Sequence, residues 1–127
     1  MGMARDTAIE YFRCMREQDA DGIQKLFAPD ACWSAFDGTV RRGQAEIRAF
    51  YENNAMPGLR RPNPQKPIED GNRCVVEIII RRRDDKVWRV LDVFTVNDEG
   101  QIVSLRVYNG QPLDDDPPYD EDPPFPP

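Results

Sequence analysis

The sequence predicts an α+β domain: three helices in the first half, then a curved, mainly antiparallel sheet against which they pack. Three observations carry this. Apolar residues recur at helical spacing in three segments between residues 6 and 54. Three runs rich in β-branched and aromatic residues follow between 73 and 109, parted by turn sequences. The helices precede the strands instead of alternating with them, which favours layers over a parallel βαβ sheet.

Residues 6–18, "DTAIEYFRCMREQ", predict the first helix, with Asp6 as N-cap. Ala8, Ile9, Phe12 and Met15 share its apolar face, and Tyr11 borders it. A short second helix carries Ile23, Leu26 and Phe27, with Asp21 as cap, and "APDA" stops it. "CWSAF" reads as a strand and "DGT" as a turn. Residues 43–54, "GQAEIRAFYENN", predict a third helix with Ile47, Phe50, Tyr51 and then Ala55 inward. The Pro- and Gly-rich "MPGLRRPNPQKP" is a loop. Strands follow at 73–83, 86–97 and 101–109, joined at "RDDK" and "NDEG".

A chain of 127 residues forms one domain, assigned here to residues 1–110. Residues 111–127, "QPLDDDPPYDEDPPFPP", are acidic and Pro-rich, and the expectation is an extended or disordered tail. The net charge of −6 argues against nucleic acid as a partner. The Arg runs at 41–42, 60–61 and 81–83 read as solvated strand and loop ends. With no signal peptide and no long apolar run, the expectation is a cytoplasmic protein away from the membrane. Three scattered cysteines read as small buried hydrophobes, not as a zinc set. The chain has no histidine, so acid–base chemistry falls to Asp, Glu, Tyr, Lys or Cys.

Asp92 poses the sharpest question, because it interrupts the strand "KVWRVLDVFTVN". A charged, unpaired carboxylate inside a sheet costs several kcal/mol. By alternation Trp88, Val90, Asp92 and Phe94 share the covered face, while Arg89, Leu91, Val93 and Thr95 share the other. A two-residue turn at Asp84–Asp85 sets Arg83 against Lys86 and Asp92 against Glu77. Their Cβ atoms would then lie ~5 Å apart, too close for both acids to ionise easily in a dry pocket. A register slipped by one turns Glu77 away, and an open sheet would leave both acids wet.

Over residues 5–110 the order of motifs resembles a known family. "AIEYFRCMREQDADGIQKLFAPDACW", "RGQAEIRAFYENN" and "LDVFTVNDEGQIVSLRVYNG" are similar to SnoaL-like domains of the NTF2-like superfamily, and most of all to bacterial ketosteroid isomerase. The resemblance implies a cone, helices and bent sheet enclosing an apolar pocket. It implies an oxyanion hole in which Tyr11 and a protonated Asp92 donate to a substrate carbonyl, with Tyr51 supporting Tyr11. The family's aspartate base falls on Ala35. Glu77 and Asp37 remain as displaced bases, against plainer roles as a partner of Asp92 and as a turn residue before Gly38. Dehydratase relatives use histidines, which this chain lacks. The Asp-Arg-Asp set of epoxide hydrolases finds no match, Val107 standing where its last acid would be.

Three functions follow as expectations. The first is a cofactor-independent isomerase acting on a small apolar carbonyl compound, or a related polyketide cyclase. The second is a non-catalytic ligand-binding domain. The third is an interaction module. All three anticipate a homodimer through the open sheet face, with Leu91, Val93, Ile78 and Ile80 on that face. No metal or cofactor is called for. The pocket walls expected by parity are Trp33, Ala35, Val75, Ile79, Trp88, Val90, Phe94, Leu105, Val107 and Asn109, with Phe50 from the third helix. Two tryptophans among them favour a flat, ring-bearing ligand.

Overall fold

The computed structural model describes residues 2–57, 63–81 and 86–112. The elements run α1 (Met3–Arg16), α2 (Ala20–Leu26), β1 (Phe27–Ala35), β2 (Val40–Arg42), α3 (Gly43–Phe50), β3 (Asn63–Pro64), β4 (Ile68–Asp70), β5 (Arg73–Arg81), β6 (Val87–Val96) and β7 (Ile102–Pro112). The strand order is β2-β1-β7-β6-β5-β3, with β4 also paired to β5. All pairs are antiparallel except β1 with β7, which makes the sheet mixed. Three helices on a curved mixed sheet form the expected α+β cone. β7 runs past Gly110 to Pro112, and the rest of the acidic tail lies outside the described residues.

α1 starts at Met3, and its N-cap is Gly2, four residues before the expected Asp6 and with no capping side chain. Glu69 of β4 supplies the acceptors instead: its carboxylate takes the N–H of Gly2 at 3.0 Å and of Arg5 at 2.8 Å. Those two bonds satisfy donors that every helix start leaves open. α2 is capped by Asp19, not Asp21, through the N–H of Gly22 at 2.9 Å. The β6–β7 turn is closed by Asn97, whose Oδ1 accepts from the N–H groups of Glu99 and Gln101, both at 3.0 Å. Gly100 sits there at φ 78°, a conformation few side chains tolerate.

The core lies between the helices and the concave face of the sheet. Ile23, Phe27, Ile47, Val76, Phe94, Ile102 and Leu105 are wholly enclosed, and each such large side chain contributes about 1.5–3 kcal/mol on burial. α1 crosses β5 and β6, and α3 packs on β1.

The β5–β6 register differs from the expected one by a single residue. Val76 opposes Asp92, and Glu77 opposes Leu91. Glu77 is therefore on the outer face, half-exposed, 4.0 Å from the guanidinium of Arg89. The physical reason is visible in "CVVEIII". This register buries Cys74, Val76 and Ile78 and half-buries Ile80, leaving the only charge of the run wet. Val75 and Ile79 consequently point outward, correcting their placement as pocket walls, while Ile78 and Ile80 leave the outer face for the cavity. Leu91 and Val93 stay outside as expected.

Candidate functional site: a cavity with two phenols and one carboxyl

A cavity of about 510 Å³ opens between α1, α3 and the concave sheet face. That is ample for a small ring-bearing molecule. Its walls are mostly apolar: Phe12 and Met15 from α1, Trp33 and Ala35 from β1, Phe50 from α3, Ile78 and Ile80 from β5, Val90 from β6 and Val107 from β7. Its polar groups are Tyr11, Tyr51, Asn54, Asp92 and Asn109. Among the described residues that line it, Asp92 is the single carboxyl group and there is no cation.

Tyr11 reaches the cavity because α1 lays its apolar face on β6. Its ring packs edge-on against Phe94, centroids 5.1 Å apart, and against Phe12 at 5.0 Å. Tyr51 arrives where α3 loosens into a π-turn, Tyr51–Ala55, closed by the Met56 N–H on the Tyr51 carbonyl at 2.9 Å. Such wide turns are rare and cluster at functional sites. This one brings Tyr51, Asn54 and Ala55 into the same wall. The two phenol oxygens lie 2.6 Å apart, a buried hydrogen bond in which either can donate. Burial holds the Tyr11 phenol well above its ordinary value, and the nearby Tyr51 and Asp92 push it further. Burial also raises Tyr51, with the hydrogen bonds of Tyr11 and Trp33 working against it. Both stay protonated across the physiological range.

Asp92 is 4% exposed, in the middle of β6. Across the sheet it stands in one row with Val76 of β5, Val107 of β7 and Ala35 of β1. Ala35 is thus two strand spacings from Asp92, about 10 Å, and presents only a methyl group to the cavity.

The other expected site residues divide by depth. Phe94 and Leu105 share the concave face but lie wholly buried beneath the cavity, and Trp88 packs at the core's edge. Asp37 is an exposed turn residue outside the cavity. Its Oδ1 accepts from the Thr39 N–H at 3.0 Å, a bond that lowers its carboxyl below the usual range. Phe12, Met15, Asn54, Ala55, Pro57, Ile78 and Ile80 were not among the expected walls. The inward face of the first helix signals Phe12 and Met15, and strand parity signals the two isoleucines. Helical spacing places Ala55 inward, while nothing in the sequence signals the π-turn that delivers Asn54. Among the described residues, no group of three or more His, Cys, Asp or Glu gathers as a metal site. No described helix is long and apolar enough to cross a membrane.

Similar structures share this architecture. A provisionally assigned ketosteroid isomerase from Kribbella flavida DSM 17836 matches with TM-score 0.78 at 17% identity, over 91% of this chain and 84% of that one. SalBIII, an epoxide hydrolase/cyclase-like enzyme of pyran ring formation in the polyether salinomycin, matches with TM-score 0.74 at 26% identity, over 84% and 90%. A provisionally assigned polyketide cyclase from Sinorhizobium meliloti matches with TM-score 0.71 at 24% identity, over 80% and 93%. No curated protein matches the chain in sequence. The family pattern of the SnoaL-like domain covers residues 8–105, most of the chain, and the protein belongs to that family.

Proposed function

We propose that the cavity takes a small apolar carbonyl compound or phenol and grips its oxygen with two donors, the Tyr11 hydroxyl and a protonated Asp92. In the bound state proposed here Tyr51 is the donor of the phenol pair, which leaves the Tyr11 hydrogen for the ligand. The observation that carries this reading is the joint placement of a phenol pair and one buried carboxyl in a mostly apolar cavity. In such surroundings the neutral carboxyl is the cheaper form. A neutral carboxyl can donate to a developing oxyanion, which such donors stabilise by about 3 kcal/mol each.

The site polarises a carbonyl but holds no second acid or base among the described residues that line it. Ala35 occupies the place of the resembled enzyme's base, and Glu77 and Asp37 lie outside the cavity. Steroid-type isomerisation would require Asp92 itself to move the proton. Ligand binding, or ring closure of a substrate that carries its own acidic proton, needs no such group. The names of the polyketide cyclase and SalBIII relatives favour the ring-closing form.

Exchange of a bound ketone's α-protons in deuterated water separates these readings. The wild type binds the ketone and leaves its α-protons in place, and Ala35→Asp starts the exchange. Rapid exchange by the wild type would reveal an internal base and return the isomerase reading to first place. A Tyr11→Phe variant that grips phenols as tightly as the wild type would remove the proposed oxyanion hole.

A further inference from the structure

β2 carries a cation to the concave side of the sheet. Arg41 is the cross-strand partner of Trp33, and directly opposed residues project to the same face. Its guanidinium lies 4.0 Å from the centre of the Phe50 ring and 5.0 Å from that of Trp33. Those two rings are 4.4 Å apart, and both are cavity walls. Arg41 is part-buried. Among the described residues no carboxylate comes within ion-pair distance of it, and no acceptor takes a hydrogen bond from its guanidinium. Asp37, the acid of the neighbouring turn, is engaged by Thr39 and feels Arg41 only through space.

An arginine held against two aromatic rings, with its N–H edges unspent, is ordered in advance for a planar oxyanion. Stacking satisfies the face of the cation and leaves the fork of donors for a carboxylate. The side chain's ordering cost is met before the ligand arrives. Among the described residues that line it, the cavity beyond the rings contributes no positive charge of its own.

We propose that Arg41 is a ligand-anchoring residue, and that the molecule bound here is a ring-bearing carboxylic acid. Its carboxylate pairs with Arg41 beside Trp33 and Phe50, and its carbonyl or phenol oxygen lies at Tyr11 and Asp92. The inference rests on the carbonyl- or phenol-binding reading above and narrows its substrate class.

Calorimetric titration with two probes tests it: 2-naphthol, and 6-hydroxy-2-naphthoate, which adds only the carboxylate. The wild type binds the naphthoate about tenfold tighter or better, as a charge-assisted pair predicts. Arg41→Gln abolishes that preference and leaves naphthol affinity within about threefold, the size of a lost exposed stacking contact. Arg41→Lys, which keeps the charge but not the fork, recovers part of it. The proposal is overturned if the ratio of the two affinities is the same in Arg41→Gln as in the wild type. It is overturned alone if naphthol binds in a Tyr11-dependent way and the carboxylate adds nothing. If neither probe binds the wild type, the ligand-class reading falls and takes this one with it.

Discussion

β5 and β6 are neighbours in the sheet, each carries one acid near its middle, and they treat it oppositely. β5 turns Glu77 out to water beside Arg89 and turns only apolar side chains in. β6 turns Asp92 in, although its outward set includes Leu91 and Val93, which would bury well. Sliding β6 by one residue would free Asp92 and hide those two. It would also expose Trp88, Val90 and Phe94, a larger apolar loss. Asp92 is thus carried inside by its neighbours. The difference teaches that hydrophobic pattern sets the register of both strands, and that an acid tolerated against that pattern marks the site.

The largest effect expected comes from making β5 resemble β6. Val76→Asp places a second acid directly opposite Asp92, in a position with no solvent exposure. It should cost at least about 3 kcal/mol in denaturant unfolding. A loss under about 1 kcal/mol would mean that this part of the concave face is wet.

A smaller effect distinguishes the two faces by pH. The buried Tyr11 and Tyr51 phenols are raised above their ordinary values, and Cys14 and Cys74 are pushed up to about 11, chiefly by burial. Groups with raised folded values keep their protons while the unfolded chain loses its own. Their stabilisation is complete at neutral pH and is lost as pH rises from about 9 through 10 and beyond. The melting temperature should fall over that window, and the phenolate absorbance of the two buried tyrosines should grow only as the chain unfolds. Tyrosinate growth in the folded protein at about pH 10, complete for all four tyrosines, would place Tyr11 and Tyr51 in water.

The smallest effect belongs to the outer acid. Glu77→Gln removes one member of an exposed, long ion pair. It should change stability by no more than about 0.5 kcal/mol and leave phenol affinity unaltered. A large loss of binding would return Glu77 to the site and contradict the register.

Much of the fold was legible, because helical spacing and strand alternation each impose a burial pattern the chain obeys. The inward sets of β6 and β7 follow from alternation alone, and so does Asp92 among them. The β5 register does not follow from a two-residue turn at Asp84–Asp85, which would set Glu77 and not Val76 against Asp92. The apolar alternation of Cys74, Val76, Ile78 and Ile80 was the better guide. β1 was expected only from Cys32. Pro29 reads as a stop, yet a register shift between Phe27 and Cys32 lets the strand start earlier and pair Phe27 with Ile102. The cap of α1 was hidden because Glu69 acts from 64 residues along the chain. Arg41 looked like one of two solvated arginines. Its stacking on Phe50 depends on how α3 meets β2, which no local pattern encodes.

The protonation state of Asp92 is the most direct test of the account, read from the carbon-13 shift of its carboxyl group near neutral pH with Asp92→Asn as assignment control. The expected result is a protonated carboxyl that persists well above the ordinary aspartate range and responds to a bound phenol. An ionised carboxylate at neutral pH, indifferent to ligand, would contradict it.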